Sequence, residues 1–313
     1  MRTVARLSSI LLVLAFGCGD DGGGSGNGDG GVGNGDGGNG GDGGNIFDGC
    51  EPVDLMIVLD GTMSMHRLPD GDQPDPNTPA ERAKSKWHIA VGAIESVTSD
   101  LEAGVRFGLS KFPLVPASGS GETCVTVEER TDGTTATNTQ CQQGEVLVSP
   151  DLNSASAIDA AIDPDTTELC RSTPIGGGLA VAGSELAGIK VEGRDQYALL
   201  ITDGQDTCDD DGGGYTTLSL PEADALFAAG VRLYVVGFDG TGGDGVDPNA
   251  LNDLACAGGT APNEGSNCVD TGGVLRAVAE PSPEFLFLLA EDSNSLQTAL
   301  QDIAAELCCG CVE

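Results

Sequence analysis

Three short segments of the 313-residue chain carry hard oxygen donors: Asp60-Gly61-Thr62-Met63-Ser64, Ser172-Thr173-Pro174 and Thr202-Asp203-Gly204. Together they offer two carboxylates, Asp60 and Asp203, and three hydroxyls, on Thr62, Ser64 and Thr173. Such a set suits Mg²⁺, Ca²⁺ or Mn²⁺ rather than zinc or copper, which take nitrogen and sulfur. Singly, Thr173 would serve as a helix cap and Asp203-Gly204 as a turn. Jointly they read as one metal site, provided that the fold brings them together.

The elements around them predict how that happens. Residues 53–59 (Val-Asp-Leu-Met-Ile-Val-Leu) form an apolar run broken only by Asp54, the signature of a strand buried on both faces. Residues 80–101 follow with helical spacing through Trp87, Ala90, Val91, Ile94 and Val97. Further strands are expected at 105–109, 145–148, 197–201, 231–238 and 285–289. Helices are expected at 172–189, with Thr173 as cap and Pro174 in the first turn, and at 221–229, 248–257 and 293–307. Strands alternating with helices predict an α/β fold, a doubly wound, mostly parallel sheet with helices on both faces. Ligands of such sheets bind beyond the carboxyl ends of the strands, where Asp60 and Asp203 lie.

These motifs in this order resemble a von Willebrand factor type A domain with a metal-ion-dependent adhesion site, a Rossmann-like fold. Asp60, Thr62 and Ser64 match its Asp-x-Ser-x-Ser element, with Thr62 where Ser is usual; Thr173 matches the distant Thr and Asp203 the distant Asp. Residues 251–260 resemble the family's late helix and Gly-Gly-Thr turn, so the resemblance covers about residues 53–307. It implies that Thr62, Ser64 and Thr173 bind a cation through hydroxyls and that Asp60 and Asp203 bind it directly or through water. It also implies an open coordination position for a carboxylate of a partner protein.

Long segments at 66–79 and 113–144 flank this face and are expected to set specificity. The acidic cluster Asp206, Asp209, Asp210 and Asp211 is read as a solvated turn, with a second cation as the rival. Eleven cysteines suggest an oxidising compartment. The pairs expected are Cys50 with the cluster Cys308, Cys309 and Cys311, Cys256 with Cys268, Cys124 with Cys141, and Cys170 with Cys208.

The N-terminal segment predicts export. Arg2 and Arg6 precede an apolar run, residues 7–16, that is too short to span a bilayer. Leu14-Ala15-Phe16-Gly17-Cys18 resembles a bacterial lipobox, with Leu one position further back than usual, and implies lipidation at Cys18. That assignment leaves ten cysteines to pair. Residues 19–45 are almost wholly Gly, Asp and Asn, cannot bury apolar area, and read as a tether with a reach of roughly 30 Å. The chain thus divides into a signal segment (1–18), a tether (19–45) and one domain (46–313).

Acidity narrows the partners. Forty-nine acidic against 14 basic residues give a net charge of −35, which argues against nucleic acid and against anionic lipid surfaces. With only His66 and His88, and no evident Ser-His-Asp or Cys-His set, an enzyme is not expected. The expected function is a lipid-anchored adhesion or protein-interaction module of the cell envelope, on the outer membrane or cell surface, with a secreted protein cut near Gly17 as the alternative. It would hold Mg²⁺, or alternatively Ca²⁺ or Mn²⁺, and bind an extracellular or periplasmic protein or glycan offering a carboxylate. The alternatives are a surface protein whose metal only stabilises loops, and a metal-dependent phosphatase-like hydrolase.

Overall fold

The apolar run after Cys50 becomes the first strand, β1 (Val53–Asp60), and all eight of its residues are buried. A computed structural model describes residues 51–75, 77–126, 136, 143–204, 206–208, 219–238, 246–278 and 285–307. The lipidation candidate Cys18, the tether, the Cys50 pairing, Cys141 and Asp209 to Asp211 lie outside the described residues.

A 3₁₀ turn (Met63–His66) and a short helix α1 (Pro79–Arg82) lead into α2 (Lys86–Leu101). Then come β2 (Val105–Phe112), β3 (Glu145–Asp151), α3 (Ala155–Ala161), α4 (Ile175–Gly188), β4 (Gln196–Thr202), α5 (Ser219–Ala228) and β5 (Val231–Phe238). The chain continues through α6 (Pro248–Ala257), α7 (Glu264–Asn267), the hairpin β6 (Cys268–Thr271) and β7 (Val274–Ala277), β8 (Leu288–Ala290) and α8 (Ser293–Leu307).

Six strands form one sheet in the order β3-β2-β1-β4-β5-β8. All neighbours pair in parallel except β3, which runs antiparallel to β2 at the edge. From β1 the order runs outward in both directions, so the β1/β4 boundary is the switch point at which doubly wound sheets open a ligand crevice. Asp60 ends β1, and Asp203 follows β4.

Period-2 alternation sends β1 side chains to two separate cores. Leu55, Ile57 and Leu59 pack with Trp87 and Ile94 of α2 and with Leu296 and Leu300 of α8. Met56 and Val58 pack with Leu179, Leu220 and Leu251 from α4, α5 and α6. Helices therefore cover both faces, as expected. The close approach of α4 explains its glycines: a Cβ on Gly178 would lie 2.5 Å from the Phe112 ring of β2.

Besides the short helices α3 and α7, which were not expected, several features depart from the sequence reading. The single helix expected over 80–101 is broken at Ser85, whose extended backbone caps α2 while its Oγ accepts the His88 N–H at 3.3 Å. Thr173 is not the cap of α4, which starts at Ile175; Asp206 takes that role, its Oδ2 accepting the Gly176 N–H at 3.0 Å. The last sheet strand is confined to Leu288–Ala290 instead of 285–289. The β6–β7 hairpin was not expected, its strands being only four residues each and none of their residues buried.

At the end of β1 opposite Asp60, the interruption Asp54 is explained. Its carboxylate is wholly buried, accepts from Arg106 Nε of β2 at 2.9 Å and Gln196 Nε2 of β4 at 3.3 Å, and faces Arg194 at 3.7 Å. One side chain thus ties three strands. Removing one member of a buried pair leaves the other charge uncompensated and costs about 3–5 kcal/mol. Asp54→Ala is therefore expected to lower the free energy of urea unfolding by about that amount. Asp151→Ala, which removes the exposed partner of the same Arg106, should change it by less than about 1 kcal/mol.

Candidate metal site

Parallel pairing of β1 with β4, in register Leu59↔Ile201, sets their carboxyl ends side by side. Asp60 is buried there, its Oδ1 accepting the Thr62 N–H at 2.8 Å and its Oδ2 the Thr202 hydroxyl at 2.6 Å. From Thr62 a line of hydroxyls crosses the crevice. Thr62 Oγ1 and Ser64 Oγ are 2.8 Å apart, and Ser64 donates to Asp203 Oδ1 at 2.7 Å. Since Ser64 spends its proton on Asp203, Thr62 is the donor to Ser64. Asp60, Thr62, Ser64 and Asp203 thus form one connected set, three of them with no more than 2% of their surface exposed.

Thr173, the fifth expected ligand, belongs to a segment tied to both neighbouring loops. Its segment is laced to the first loop through backbone bonds: Cys170 N–H donates to Gly61 O at 3.0 Å, and Met63 N–H donates to Cys170 O at 2.8 Å. It is laced to the third through Thr207, which accepts the Thr173 N–H at 2.8 Å on its hydroxyl and donates its own N–H to Thr173 O at 3.1 Å. Between these ties Ser172 turns with φ 69°, a left-handed conformation that non-glycine residues adopt where surroundings enforce it. Among the described residues no hydrogen bond joins the Thr173 hydroxyl to the other four donors.

The disulfides differ from expectation in a way that bears on the site. Cys124 pairs with Cys170, not with Cys141, so Cys170 does not pair with Cys208, which is itself disulfide-bonded. Cys256 pairs with Cys268, as expected. Sequence spacing favours short loops, whereas the observed bridge fastens the 113–126 segment to the strand-like contact between Thr62 and Cys170. Asp206 is likewise not a solvated turn residue: it is 2% exposed and accepts the N–H groups of Gly176 and Cys208.

Two buried lysines, absent from the sequence reading, complete the electrostatics. Lys86 Nζ stands 2.5 Å from Asp203 Oδ2, an oxygen that accepts no directed hydrogen bond. Lys111 lies beneath Gly61, where a Cβ would sit 3.0 Å from its stem, and its Nζ faces the Glu168 carbonyl at 3.5 Å. Burial pushes the Lys111 ammonium down in pKa. The sequence carries no signal for Lys86, which falls inside the helix expected over 80–101. Thr202 belongs to its motif in the sequence, where nothing pairs it with Asp60.

Residues His88, Ser85 and Asp165 also converge, in a Ser-His-Asp order that the sequence did not reveal. Ser85 Oγ is 2.9 Å from His88 Nδ1, and His88 Nε2 is 3.4 Å from Asp165 Oδ1. Ser85 is fully buried and its oxygen caps α2, so the serine is a helix cap rather than an accessible nucleophile.

The donor set fits a hard divalent cation by its chemistry: two buried carboxylates joined through the hydroxyls of Thr62 and Ser64. Asp60 is raised from 3.8 to about 7, first by burial and second by the Asp203 charge, a repulsion that a positive ion between the two carboxylates relieves. Asp203 Oδ2 already faces one positive group, the Lys86 ammonium. Among the described residues no three His, Cys, Asp or Glu side chains group as metal ligands, which leaves the oxygens of this mixed set.

No protein-family model and no curated protein sequence matches the chain. Solved structures do match in fold. The pilus adhesin SpaC from Lactobacillus rhamnosus GG is 12% identical with a TM-score of 0.50, over 83% of this chain and 31% of the adhesin. A D319A mutant of the PilB minor pilin from Streptococcus sanguinis is 14% identical with a TM-score of 0.53, over 83% of this chain and 62% of the pilin. The chain therefore spans less than two thirds of either protein. The architecture shared is the type A fold expected from the motifs.

Asp60 makes stability pH-dependent when no cation is present. A carboxyl raised from 3.8 to about 7 contributes stability that is full below pH 3.8 and is lost as pH rises through about 7. In the presence of chelator, the urea midpoint of the parent should fall between pH 5 and 8. Asp60→Asn, which keeps the neutral form, should flatten that fall; an identical slope in the variant would assign it to other groups.

Proposed function

We propose that this von Willebrand factor type A domain is an exported, lipid-anchored interaction module that binds a partner through a divalent cation at the carboxyl ends of β1 and β4. One observation carries the reading most: the unbroken line of oxygen donors from Asp60 through Thr62 and Ser64 to Asp203. Asp60, Thr62, Ser64, Thr173 and Asp203 would hold the ion, with Mg²⁺ as the first candidate and Ca²⁺ or Mn²⁺ as alternatives. Once bound, it would supply a Lewis-acidic point for a carboxylate of a protein or glycan partner. The residues' own part is to bind and orient: Thr202 holds Asp60, and the Cys170 contacts hold the Thr62 loop. That the similar solved structures include a pilus adhesin and a minor pilin supports an adhesive role at a cell surface.

The reading in which metal only stabilises loops is less well supported, because these loops are already held by the Cys124–Cys170 bridge, the Thr173–Thr207 bonds and the Asp206 cap. The phosphatase-like reading would use Thr62 as a nucleophile beside Asp60, and it is less supported because Thr62 is 2% exposed with its hydroxyl bonded to Ser64. Export, with Cys18 lipidated and residues 19–45 as tether, rests on the sequence. Among the described residues no helix is long and apolar enough to cross a membrane.

Calorimetric titration of the full chain, disulfides intact, with Mg²⁺, Ca²⁺ and Mn²⁺ tests the site. Saturable one-to-one binding is expected. Thr173→Ala should weaken it at least about tenfold, a loss of about 1.4 kcal/mol, without moving the urea midpoint in chelator. Absence of saturable binding by the folded parent would remove the cation from the function.

A further inference from the structure

Lys86 stands where helix electrostatics disfavours a cation. It is the first residue of the 16-residue α2, next to the N-cap Ser85, where the helix dipole places partial positive charge. It is also only 4% exposed, in a position where Lys is rarely found without a partner. Its backbone N–H is pinned to Arg67 O at 2.9 Å, so the chain cannot carry the ammonium elsewhere without moving the loop after the 3₁₀ turn. The four-carbon stem can swing about that fixed point.

The partner explains the position. Of the two oxygens of Asp203, Oδ1 is engaged by the Ser64 hydroxyl and Oδ2 faces the Lys86 ammonium, at 2.5 Å. Lys111 stands against Glu145 and Glu168 as well as Asp60, so the ammonium paired with Asp203 is that of Lys86. A buried carboxylate without such a partner is what a protein interior least tolerates. A divalent cation on Asp203 with that ammonium in place would set like charges against each other in the same small volume. Moving the Lys86 ammonium out relieves that repulsion. Lys111 is enclosed under Gly61 and directed at the Glu168 carbonyl, whereas Lys86 contacts the ligand oxygen itself.

We infer that Lys86 is an internal counter-ion of Asp203, held in the metal-free domain and displaced when a divalent cation binds, so that it sets the affinity and limits it. This rests on the cation reading above. The device keeps the ligand loops paired and folded in the absence of metal, and makes occupancy responsive to the cation concentration outside the cell.

The test uses the full chain with disulfides intact and Mn²⁺ alone as probe. Calorimetric titration of Lys86→Met, which keeps the stem and deletes the charge, should show Mn²⁺ binding at least about tenfold tighter than the parent, about 1.4 kcal/mol. In chelator the variant should melt below the parent, and saturating Mn²⁺ should close that gap. Equal or weaker affinity in the folded variant overturns the counter-ion role while leaving the metal site intact; no binding by either chain overturns both. Acetylation of the parent read by peptide mass spectrometry decides the matter if the variant does not fold. Labelling of Lys86 should rise several-fold on Mn²⁺ addition, and unchanged labelling overturns displacement.

Discussion

Two carboxylates buried at the ends of adjacent parallel strands are the constraint on which the rest of the structure depends. A sheet end is a poor place for charge, since the interior penalises each ionised group and the two repel. The surrounding chain answers with donors: Thr62 N–H and Thr202 Oγ1 on Asp60, Ser64 Oγ on Asp203, and the ammonium of Lys86. The donors come from the first loop, the end of β4 and the start of α2. The loops are therefore fastened to one another before any partner arrives, and what remains unsatisfied is charge rather than hydrogen bonding.

Fastening of that kind is needed because three of the contributing segments lie far apart in sequence. The Cys124–Cys170 bridge, the Thr62–Cys170 contact and the Thr173–Thr207 pair form a second tier behind the ligand oxygens. Asp206, capping α4, completes it. At the opposite end of β1, about 20 Å away along the strand, Asp54 binds β2 and β4 through Arg106 and Gln196. Both ends of the central strand thus carry a buried carboxylate, one fully matched by guanidinium and amide and the other left in a cluster that a cation can enter. Stability is placed at one end, and the capacity to bind at the other.

Much of this was legible in the residues. Oxygen donors of the right kind recur at strand ends, and the alternation of apolar runs with helical spacing gives the doubly wound sheet directly, since a parallel strand needs two apolar faces and a crossover. What was misread shares one cause: interactions that depend on which loops meet. Thr173 looked like a cap because Ser or Thr before Pro usually is one, yet a carboxylate from beyond β4 occupies that place. Asp206 looked solvated because acidic runs usually are. Cysteine spacing suggested local bridges, while the bridge that forms joins Cys124 to a segment held against the first ligand loop.

Local composition and periodicity alone therefore determined the fold class and the end of the sheet at which Asp60 and Asp203 lie, because these follow from side-chain chemistry and from patterns only a few residues long. Tertiary structure decided the electrostatic state of the site. Whether a lysine at the start of a helix points to water or to Asp203, and which cysteine closes on Cys170, depends on crossings between elements dozens of residues apart. No window of sequence contains the two partners, so only the folded chain shows Lys86 paired with Asp203 and Cys124 with Cys170.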